Sequence, residues 1–363
     1  MSSYTVRILD SLPALAAYAP RWDDLWRRAD VAFPTLRAAF LAQWIEQFAP
    51  RSTIRLLVVE EGDTAVAALP LVGRRFKRLI PAGGLPSNGW TAAGELLMDC
   101  KGDTAAVGEL LAGALRQLPW PFLCLQPVHY EAPRWQALLT ALSAHGMSSQ
   151  TRPIYTIGAV RFPGDWETYQ ASWSKKHRRN MQRALRRLQE LGPTEFEDHL
   201  APAVAEVSGL MRAGFEIEDR SWKGAAGTSV LRGEQLAEFY IRQAEAMAGL
   251  GCLRIHFLRH AGRRIAFQYG WFAKQTYFSP KIAYDPDFAH FSPGQLLTGH
   301  VLRLCCDSQP QPVYDFHGDA TAAVARWTNA SYPVGGVIIP LKPVVGGAIL
   351  RAYQWSSRSG IPA

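Results

Sequence analysis

The stretch from residue 284 to residue 297 constrains this chain more than any other. Its sequence, YDPDFAHFSPGQLL, follows a segment predicted as a strand at 275–284 and leads into a helix predicted at 295–306. The first N–H groups of a helix lack partners within the helix and carry the positive end of its dipole, so they can bind a phosphate. Gly294 lets a ligand approach the backbone, and Pro293 presets the first helical turn. The sequence therefore predicts a phosphate-binding turn that involves Phe291, Ser292, Gly294 and Gln295.

Size and charge limit the classes of protein to which this chain could belong. With 363 residues, 48% of them hydrophobic, it exceeds the size at which one core usually suffices, so two domains are expected. Its net charge of +8 predicts an anionic partner, which could be a coenzyme, a nucleotide sugar, RNA or a membrane surface. No apolar run reaches the roughly 18 residues of a membrane span, and the N-terminus lacks the order of a signal peptide. We therefore expect a cytoplasmic protein.

The cysteines do not form a metal-binding pattern. They are odd in number, include no C-x-x-C motif and never fall at zinc-ligand spacing beside a pair of histidines. We expect reduced, mostly buried thiols and no metal. The cysteines are Cys100, Cys124, Cys252, Cys305 and Cys306.

The same order of predicted elements occurs twice along the chain. Each half begins with a strand and two helices, continues with two strands joined by a short glycine-containing turn, and closes with alternating helices and strands. This predicts an α/β (α+β) protein with two tandem domains, at residues 1–155 and 156–345, and a tail at 346–363. Each domain is expected to be a mixed central sheet flanked by helices. Only the second copy keeps the Ser-Pro-Gly turn, and Gly83-Gly84 of the first reads as a loop, so the first copy is predicted to be degenerate.

This order of elements resembles the GNAT acyltransferase fold, and the residues extend the resemblance over about residues 155–335. The matching segments are similar to the GNAT branch associated with bacterial cellulose and exopolysaccharide biosynthesis, the CelD/BcsL type. They are more distantly similar to Fem-type peptidyl transferases, which also pair two GNAT-like domains. The segments include Ser221-Trp222-Lys223-Gly224, Phe239-Tyr240, Ile265-Ala266-Phe267, Lys281-Ile282-Ala283-Tyr284-Asp285, Phe291-Ser292-Pro293-Gly294 and Tyr314-Asp315-Phe316.

The resemblance implies an acyl-CoA co-substrate such as acetyl-CoA, and direct acyl transfer to an amine or hydroxyl of a sugar or cell-envelope precursor. It also implies that Trp222 and Lys223 contact the substrate. One departure from the family pattern is that Ala323-Val324 replaces a Tyr-Lys pair before Trp327. The alternatives are a Fem-like transferase that uses aminoacyl-tRNA and a non-catalytic binding subunit of a polysaccharide-synthesis complex. DNA is not an expected partner.

Acyl transfer from a thioester needs a base for the acceptor proton and an acid for the leaving thiolate. Asp315 lies at the C-terminal end of a predicted strand, where open sheets place functional groups, so it is the candidate base. The alternative is a carboxylate that caps Gly318 or the helix predicted at 320–327. Tyr284 and Tyr277 are the candidate acids, and plain strand packing is their alternative role.

Two further groups of charged residues could serve the same chemistry. Strand alternation could place Lys281 on the cleft face, as a third catalytic candidate, or leave it facing solvent. One member of an acidic cluster could reach the acceptor, unless the cluster is a polar connection between helices. The members of this cluster are Glu216, Glu218 and Asp219.

The segment at 174–188 predicts a strongly basic amphipathic helix. Its apolar residues recur at helical spacing, and seven basic residues fall within thirteen positions. We expect this helix to meet the anionic partner through Lys175, Arg179 and Asn180. That partner could be the phosphates of an acceptor such as a sugar nucleotide or lipid-linked sugar, tRNA, or a peripheral membrane surface. A solvated helix face without a ligand is the alternative.

Overall fold

The computed structural model describes residues 4–77, 79–99 and 101–342. Within them the chain forms two compact units: unit 1 contains the residues up to Tyr155 and those from Pro333 onward, and unit 2 is Thr156–Tyr332. The domain expected at 156–345 therefore extends beyond unit 2, because residues 335–340 pair with a strand of unit 1. The predicted tail at 346–363 and Cys100 lie outside the described residues. The four other cysteines are free thiols.

The elements of the first part of the chain alternate between helices and strands much as predicted. They are β1 (Tyr4–Leu9), α1 (Leu12–Arg28), α2 (Ala38–Phe48), β2 (Ile54–Glu61), β3 (Thr64–Phe76), β4 (Ile80–Gly84), β5 (Leu97–Met98), α3 (Thr104–Leu115), β6 (Phe122–Val128) and α4 (Pro133–Ala144). Gly83-Gly84 thus lies in a strand, and its prediction as a loop was wrong.

The second part of the chain begins with β7 and ends with β13, and a unit boundary falls within each of these strands. Its elements are β7 (Gln150–Val160), α5 (Trp166–Ala171), α6 (Lys175–Leu191), β8 (Thr194–His199), α7 (Val204–Arg220), α8 (Trp222–Ala225), α9 (Leu236–Gly249), β9 (Leu253–His260), β10 (Arg263–Ala273), β11 (Thr276–Tyr284), α10 (Pro293–Asp307), β12 (Val313–Asp319), α11 (Ala322–Ala325) and β13 (Ala330–Pro340). A 3-10 turn, Pro286–Phe291, joins β11 to α10.

The first five strands of each unit follow the same order in the sheet, and a sixth strand, β13 or β7, lies beside the fifth. In unit 1 the order is β1-β2-β3-β4-β6-β13, and in unit 2 it is β8-β9-β10-β11-β12-β7. In each unit one neighbouring pair is parallel, β4 with β6 and β11 with β12. Each unit is a mixed sheet flanked by helices, so the predicted α/β class and the repeated order of elements are confirmed.

Helices α6 and α10 bury one face each in the core of unit 2. In α10 the buried side chains recur at helical spacing and include Leu297, Val301 and Leu302. In α6 the predicted apolar seam is confirmed, because Leu188 is buried while Ala184 and Leu185 pack against the same core. This packing fixes the position of both helices next to the sheet.

Candidate active site

Strands β11 and β12 separate part of the way along their length. Three register pairs join them, from Thr276 with Val313 to Phe278 with Asp315, and the described residues form no pair after Phe278 and Asp315. The pairing of β11 with β10 shifts at the same level, so β11 carries a bulge at residues 279–280. A bulge bends its strand, and β11 consequently leaves β12 and opens a gap between the two strands.

Helix α10 begins beside this gap with a nearly closed first turn. Ser292 precedes the helix in a left-handed conformation with φ of 52°, and it makes no side-chain cap. The N–H groups of Gln295 and Leu296 both donate to the Ser292 carbonyl, at 2.9 and 3.0 Å. Proline has no N–H. The hydrogen bonds of the described residues therefore leave the N–H of Gly294 as the main-chain donor that this turn offers to a ligand.

The four residues predicted to bind the cofactor lie together in this turn but face different ways. Ser292 is exposed, while Gly294 is buried beneath Tyr284, whose ring would lie 3.2 Å from a Cβ at Gly294. The side chain of Gln295 accepts a hydrogen bond from Trp327, and Phe291 is a core residue. Their contact with a cofactor stays a prediction, which for Phe291 is limited to the main chain.

Asp315 is a buried carboxylate at the point where the two strands part. Its side chain accepts hydrogen bonds from the Tyr332 hydroxyl at 2.7 Å and from the His317 N–H at 2.6 Å. These contacts bring neither Gly318 nor α11 to the carboxylate, so the capping alternative is wrong. Burial raises the pKa of Asp315 to about 6, although both hydrogen bonds lower it. A carboxylate with such a pKa can accept a proton near neutral pH.

Lys281 lies in a buried ion-pair cluster on the face of the sheet that packs against α7 and α9. Its ammonium is 3.1 Å from Glu218 Oε1, and that of Lys223 is 2.9 Å from the same oxygen. Glu218 Oε2 accepts from the N–H of Val230 at 3.2 Å. Burial lowers the pKa of Lys281 in spite of Glu218. Burial alone would raise the pKa of Glu218, but the two lysines hold it below its ordinary value.

This cluster decides between the alternatives for several predicted residues. Glu218 connects α7, α8 and β11, and Asp219 pairs with Arg232, so both form the polar connection rather than an acceptor contact. The ammonium of Lys223 is bound to protein, whereas Trp222 next to it is 67% exposed. Direct roles for Lys281, Lys223 and Trp222 stay predictions.

The two tyrosines named as candidate acids occupy different environments. Tyr284 is 37% exposed and lies against Gly294 at the edge of the phosphate turn. Tyr277 is buried, stacks on Tyr314 with ring centroids 5.0 Å apart, and accepts a hydrogen bond from Gln268. Burial raises the pKa of Tyr277. Tyr277 is therefore a core residue, and Tyr284 is the tyrosine that solvent and a ligand can reach.

Sequence reasoning missed the residues that surround Asp315. Tyr332 lies 17 residues away at the start of β13, and its hydroxyl contact depends on the sheet. His317 has a φ of 52° and faces the ring of Trp271 at 5.4 Å. No spacing in the sequence signals the contacts of Tyr332 with Asp315 or of His317 with Trp271, because both join strands that are distant in the chain.

Helix α6 places its basic residues on the solvent side next to the phosphate turn. Lys175, Arg179 and Asn180 are all exposed. The helix packs against α10 and against the 3-10 turn Pro286–Phe291. The Arg187 guanidinium lies 5.9 Å from the centroid of the Phe291 ring. The predicted anion-binding helix and the predicted phosphate turn are therefore neighbours in unit 2.

Residues 4–77, 79–99 and 101–342 contain neither a metal-binding cluster nor a helix able to span a membrane. This part of the chain has no group of three or more histidine, cysteine, aspartate or glutamate side chains arranged to hold a metal ion. None of its helices combines the length and the apolar character that crossing a membrane requires.

Comparison of the sequence with family models places a known domain on this site. Residues 175–324 match the model described as Acetyltransferase (GNAT) domain. Unit 2 thus resembles a GNAT acetyltransferase. The matched range runs from α6 through the β11 bulge and α10 to α11, so it contains the phosphate turn and Asp315. The match supports an acyltransferase in general terms. No curated protein matches the chain significantly in sequence.

Solved structures share the fold of nearly the whole chain. FemX is similar with a TM-score of 0.59 at 10% identity, over 88% of this chain and 95% of FemX. The C-terminal domain (DUF2156) of a putative lysylphosphatidylglycerol synthetase from Agrobacterium fabrum has a TM-score of 0.55 at 12% identity, over 94% and 97% of the two chains. A conserved protein of unknown function from Bacteroides thetaiotaomicron VPI-5482 has a TM-score of 0.53 at 12% identity, over 93% and 100%. At such identities the likeness concerns the fold alone.

Proposed function

We propose that unit 2 transfers an acyl group from a pantetheine thioester, in the simplest case acetyl-CoA or another acyl-CoA, directly to an amine or hydroxyl. The observation that carries this proposal is the gap between β11 and β12, which has Asp315 at its apex and the α10 turn at its side. The acceptor nitrogen or oxygen attacks the thioester carbonyl and the C–S bond breaks. The acceptor proton passes to Asp315, and the thiolate takes up a proton as it leaves.

The donor side of the reaction uses main-chain groups. The main-chain N–H of Gly294 would hold a phosphate at the start of α10, and the exposed hydroxyl of Ser292 would add a side-chain donor. From there the pantetheine arm would run along residues 279–284 of β11, whose edge toward β12 has no register partner among the described residues. The amide groups of such an edge can pair with the amides of an extended ligand, much as a peptide adds to a sheet. A main-chain N–H of the same edge, beside the bulge at residues 279–280 and next to Asp315, would stabilise the oxyanion.

The acceptor side lies on the face packed by α7 and α9. Asp315 shares this face with its register partner Phe278 and with Trp271, the partner of Phe278 on β10, since cross-strand partners point the same way. Trp222 is exposed at the adjoining α8 and would contact the acceptor. Tyr284 lies beside Gly294 at the phosphate end of the arm, so the thiolate would take its proton from solvent, and the tyrosine that the family pattern has where this chain has Ala323 is not replaced by Tyr284. The resemblance to the CelD/BcsL type supports a sugar or cell-envelope precursor as acceptor.

The proposal is tested by measuring free thiol released from a panel of acyl-CoAs in the presence of amino-sugar and hydroxyl acceptors. Gly294→Asp places an anion where the phosphate would bind, and it should lower transfer by about a hundredfold or more, consistent with the loss of a charge-assisted contact. The matched control is Gly294→Ala, whose Cβ would make an ordinary contact with Ile282 at 3.8 Å and a tight one with Tyr284 at 3.2 Å, which the partly exposed Tyr284 ring can relieve by a small shift. It should retain most of the activity.

The proposal fails if Gly294→Asp transfers as fast as the wild type. Transfer from aminoacyl-tRNA alone would replace it with the Fem-like alternative. Ligand-induced thermal stabilisation without thiol release from any donor and acceptor pair would replace it with the binding-subunit alternative, since a ligand of the native state raises the melting temperature whether or not it reacts.

A further inference from the structure

We propose that the acyl donor of this protein is carried on a small acidic acyl carrier protein, which docks on the exposed basic face of α6 and presents its phosphopantetheine thioester to the gap. This inference rests on the proposed function and concerns the form of the donor. It is carried by three features of unit 2: the charge of α6, its place beside the α10 turn, and the number of donors in that turn.

The charge of α6 is concentrated on its solvent side. The helix contains seven Lys or Arg residues and a single acidic residue, Glu190. Six of the seven basic residues are exposed, and Arg178 is partly exposed. Within the part of the chain that the structure describes, only Arg186 of this set forms an ion pair, with Glu190 at 3.5 Å. The face is therefore available to an anionic partner that would complement its charge.

The position of α6 connects this face to the reaction. The helix packs against α10 and the turn Pro286–Phe291. Arg187 lies over the ring of Phe291, and Phe291 directly precedes Ser292 in the chain. A protein docked along α6 would have its prosthetic group close to Ser292 and Gly294. The arm would enter the gap from the side on which the phosphate turn lies.

The turn itself fits one phosphate better than two. Its free main-chain donor is the N–H of Gly294, because the amides of Gln295 and Leu296 are bonded to Ser292. The phosphopantetheine of a carrier protein is attached through a single phosphodiester. Coenzyme A instead carries a diphosphate and a ribose phosphate, which would need further donors.

Two other anionic partners fit the same helix less well, a membrane into which it would insert and a single-stranded nucleic acid. A helix that lies on a membrane buries an apolar face among the lipids, but the apolar face of α6 packs against the core of unit 2. Binding of single-stranded nucleic acid relies on aromatic side chains that stack on bases, and α6 contains no Phe, Tyr or Trp. Its 17 residues span about 25 Å, the length over which one acidic helix of a small protein can lie alongside.

The test compares two donors that carry the same acyl chain, an acyl-CoA and a bacterial acyl carrier protein charged with that chain. The variant Arg179→Glu/Arg183→Glu reverses two neighbouring charges on α6. The matched control, Arg51→Glu/Arg242→Glu, reverses two exposed charges outside α6, for which the described residues give no ion pair. We expect the carrier to be the better donor by kcat/KM, and the α6 variant to lose about tenfold more with the carrier than with acyl-CoA. The control should lose equally little with both donors.

The outcomes separate this inference from the function on which it rests. If neither donor supports transfer, the proposed function fails with it. If acyl-CoA is the equal or better donor and the α6 variant affects both donors alike, the carrier docking is wrong and the acyltransferase stands. If the α6 variant abolishes reaction with aminoacyl-tRNA while the carrier has no activity, the basic face serves RNA and the inference is overturned.

Discussion

Units 1 and 2 share a strand order but differ where their parallel strands meet. In unit 2, β11 bulges away from β12 and leaves a gap with Asp315 at its apex. In unit 1, β4 makes one register pair with its parallel neighbour β6, Gly83 with Leu123, and ends at the next residue, Gly84. A Cβ at Gly84 would lie 2.2 Å from the Arg74 side chain and 3.0 Å from the Cys124 carbonyl, so protein fills the space around this strand end. The strand β6 also contains no acidic residue.

The helices that follow these strands differ in how their first turns are capped. Helix α3 of unit 1 begins with Asp103, whose carboxylate accepts from the N–H of Ala106 at 3.0 Å. Helix α10 of unit 2 begins with Ser292 and has no side-chain cap. Unit 1 thus supplies its own anion where unit 2 leaves room for one. The comparison teaches that a fold can be kept through a duplication while the chemistry depends on two local features, a strand bulge and a helix cap.

The largest effect is expected at Asp315, and a buried carboxylate of unit 1 provides the control. Asp315→Asn removes the proposed base and should lower kcat by about 10²- to 10⁴-fold, as loss of a general base does. Glu95→Gln in unit 1 is the matched control, because Glu95 is also buried and burial raises its pKa too. Transfer by this control, per folded molecule, should stay within about twofold of wild type. Equal losses in the two variants would remove the functional distinction between the units.

The buried ion pairs of the two units should differ in their effect on stability. Glu218→Gln leaves Lys281, whose side chain is only 10% exposed, without an anionic partner, and should cost about 3–5 kcal/mol. Glu60 of unit 1 pairs with Arg7 and Arg21, whose side chains are 54% and 44% exposed and can turn to water. Glu60→Gln should cost about 1–3 kcal/mol. Hydrogen exchange in each unit measures both costs, and a larger cost for Glu60→Gln would contradict this account.

The raised pKa of Asp315 predicts a pH-dependent gain of stability in Asp315→Asn. The folded state raises the pKa of Asp315 from 3.8 to about 6, so the native state favours the protonated acid. The stability contribution of this group is present below about pH 4 and is lost as the pH rises through about 6. At pH 7 the Asn variant should therefore be more stable by up to about 3 kcal/mol. The measurement is the difference in the free energy of unfolding between Asp315→Asn and wild type. If this difference is no more favourable at pH 7 than at pH 4, the raised pKa of Asp315 is contradicted.

The smallest effect is expected at the α3 cap. Asp103→Ala removes the side-chain acceptor of this helix and should destabilise unit 1 by about 0.5–2 kcal/mol. Acyl transfer should be unaffected, since the cap lies in unit 1. A thermal unfolding scan and the thiol-release assay measure the two quantities. Loss of transfer in this variant would show that unit 1 takes part in the reaction.

Local patterns predicted the parts of the fold that local physics determines. The Ser-Pro-Gly signal placed the start of α10, and the helical spacing of Leu188 and its neighbours placed the buried seam of α6. The repeated alternation of elements predicted the mixed α/β class and the order in which helices and strands follow one another along the chain. These features depend on residues close in the sequence.

The remaining features depend on contacts between distant residues. The ion pair of Lys281 with Glu218 joins positions 63 apart, and the Tyr332 hydroxyl reaches Asp315 only through strand register. The bulge at residues 279–280 arises from the pairing of β11 with β10, although the proline at 280 is a residue that strands tolerate mainly at such irregularities. Sequence spacing cannot supply these registers.

The strand β13 has a consequence for biosynthesis. From Gly335 to Pro340 it pairs with β6 of unit 1, yet in the chain it follows all of unit 2. During translation the edge of β6 therefore lacks this partner until the ribosome has made about 200 further residues. An uncovered strand edge can pair with strands of other molecules. Expression of the first 155 residues alone should give an aggregating product. A circular permutant that supplies residues 333–342 ahead of unit 1 should let that unit complete its sheet early.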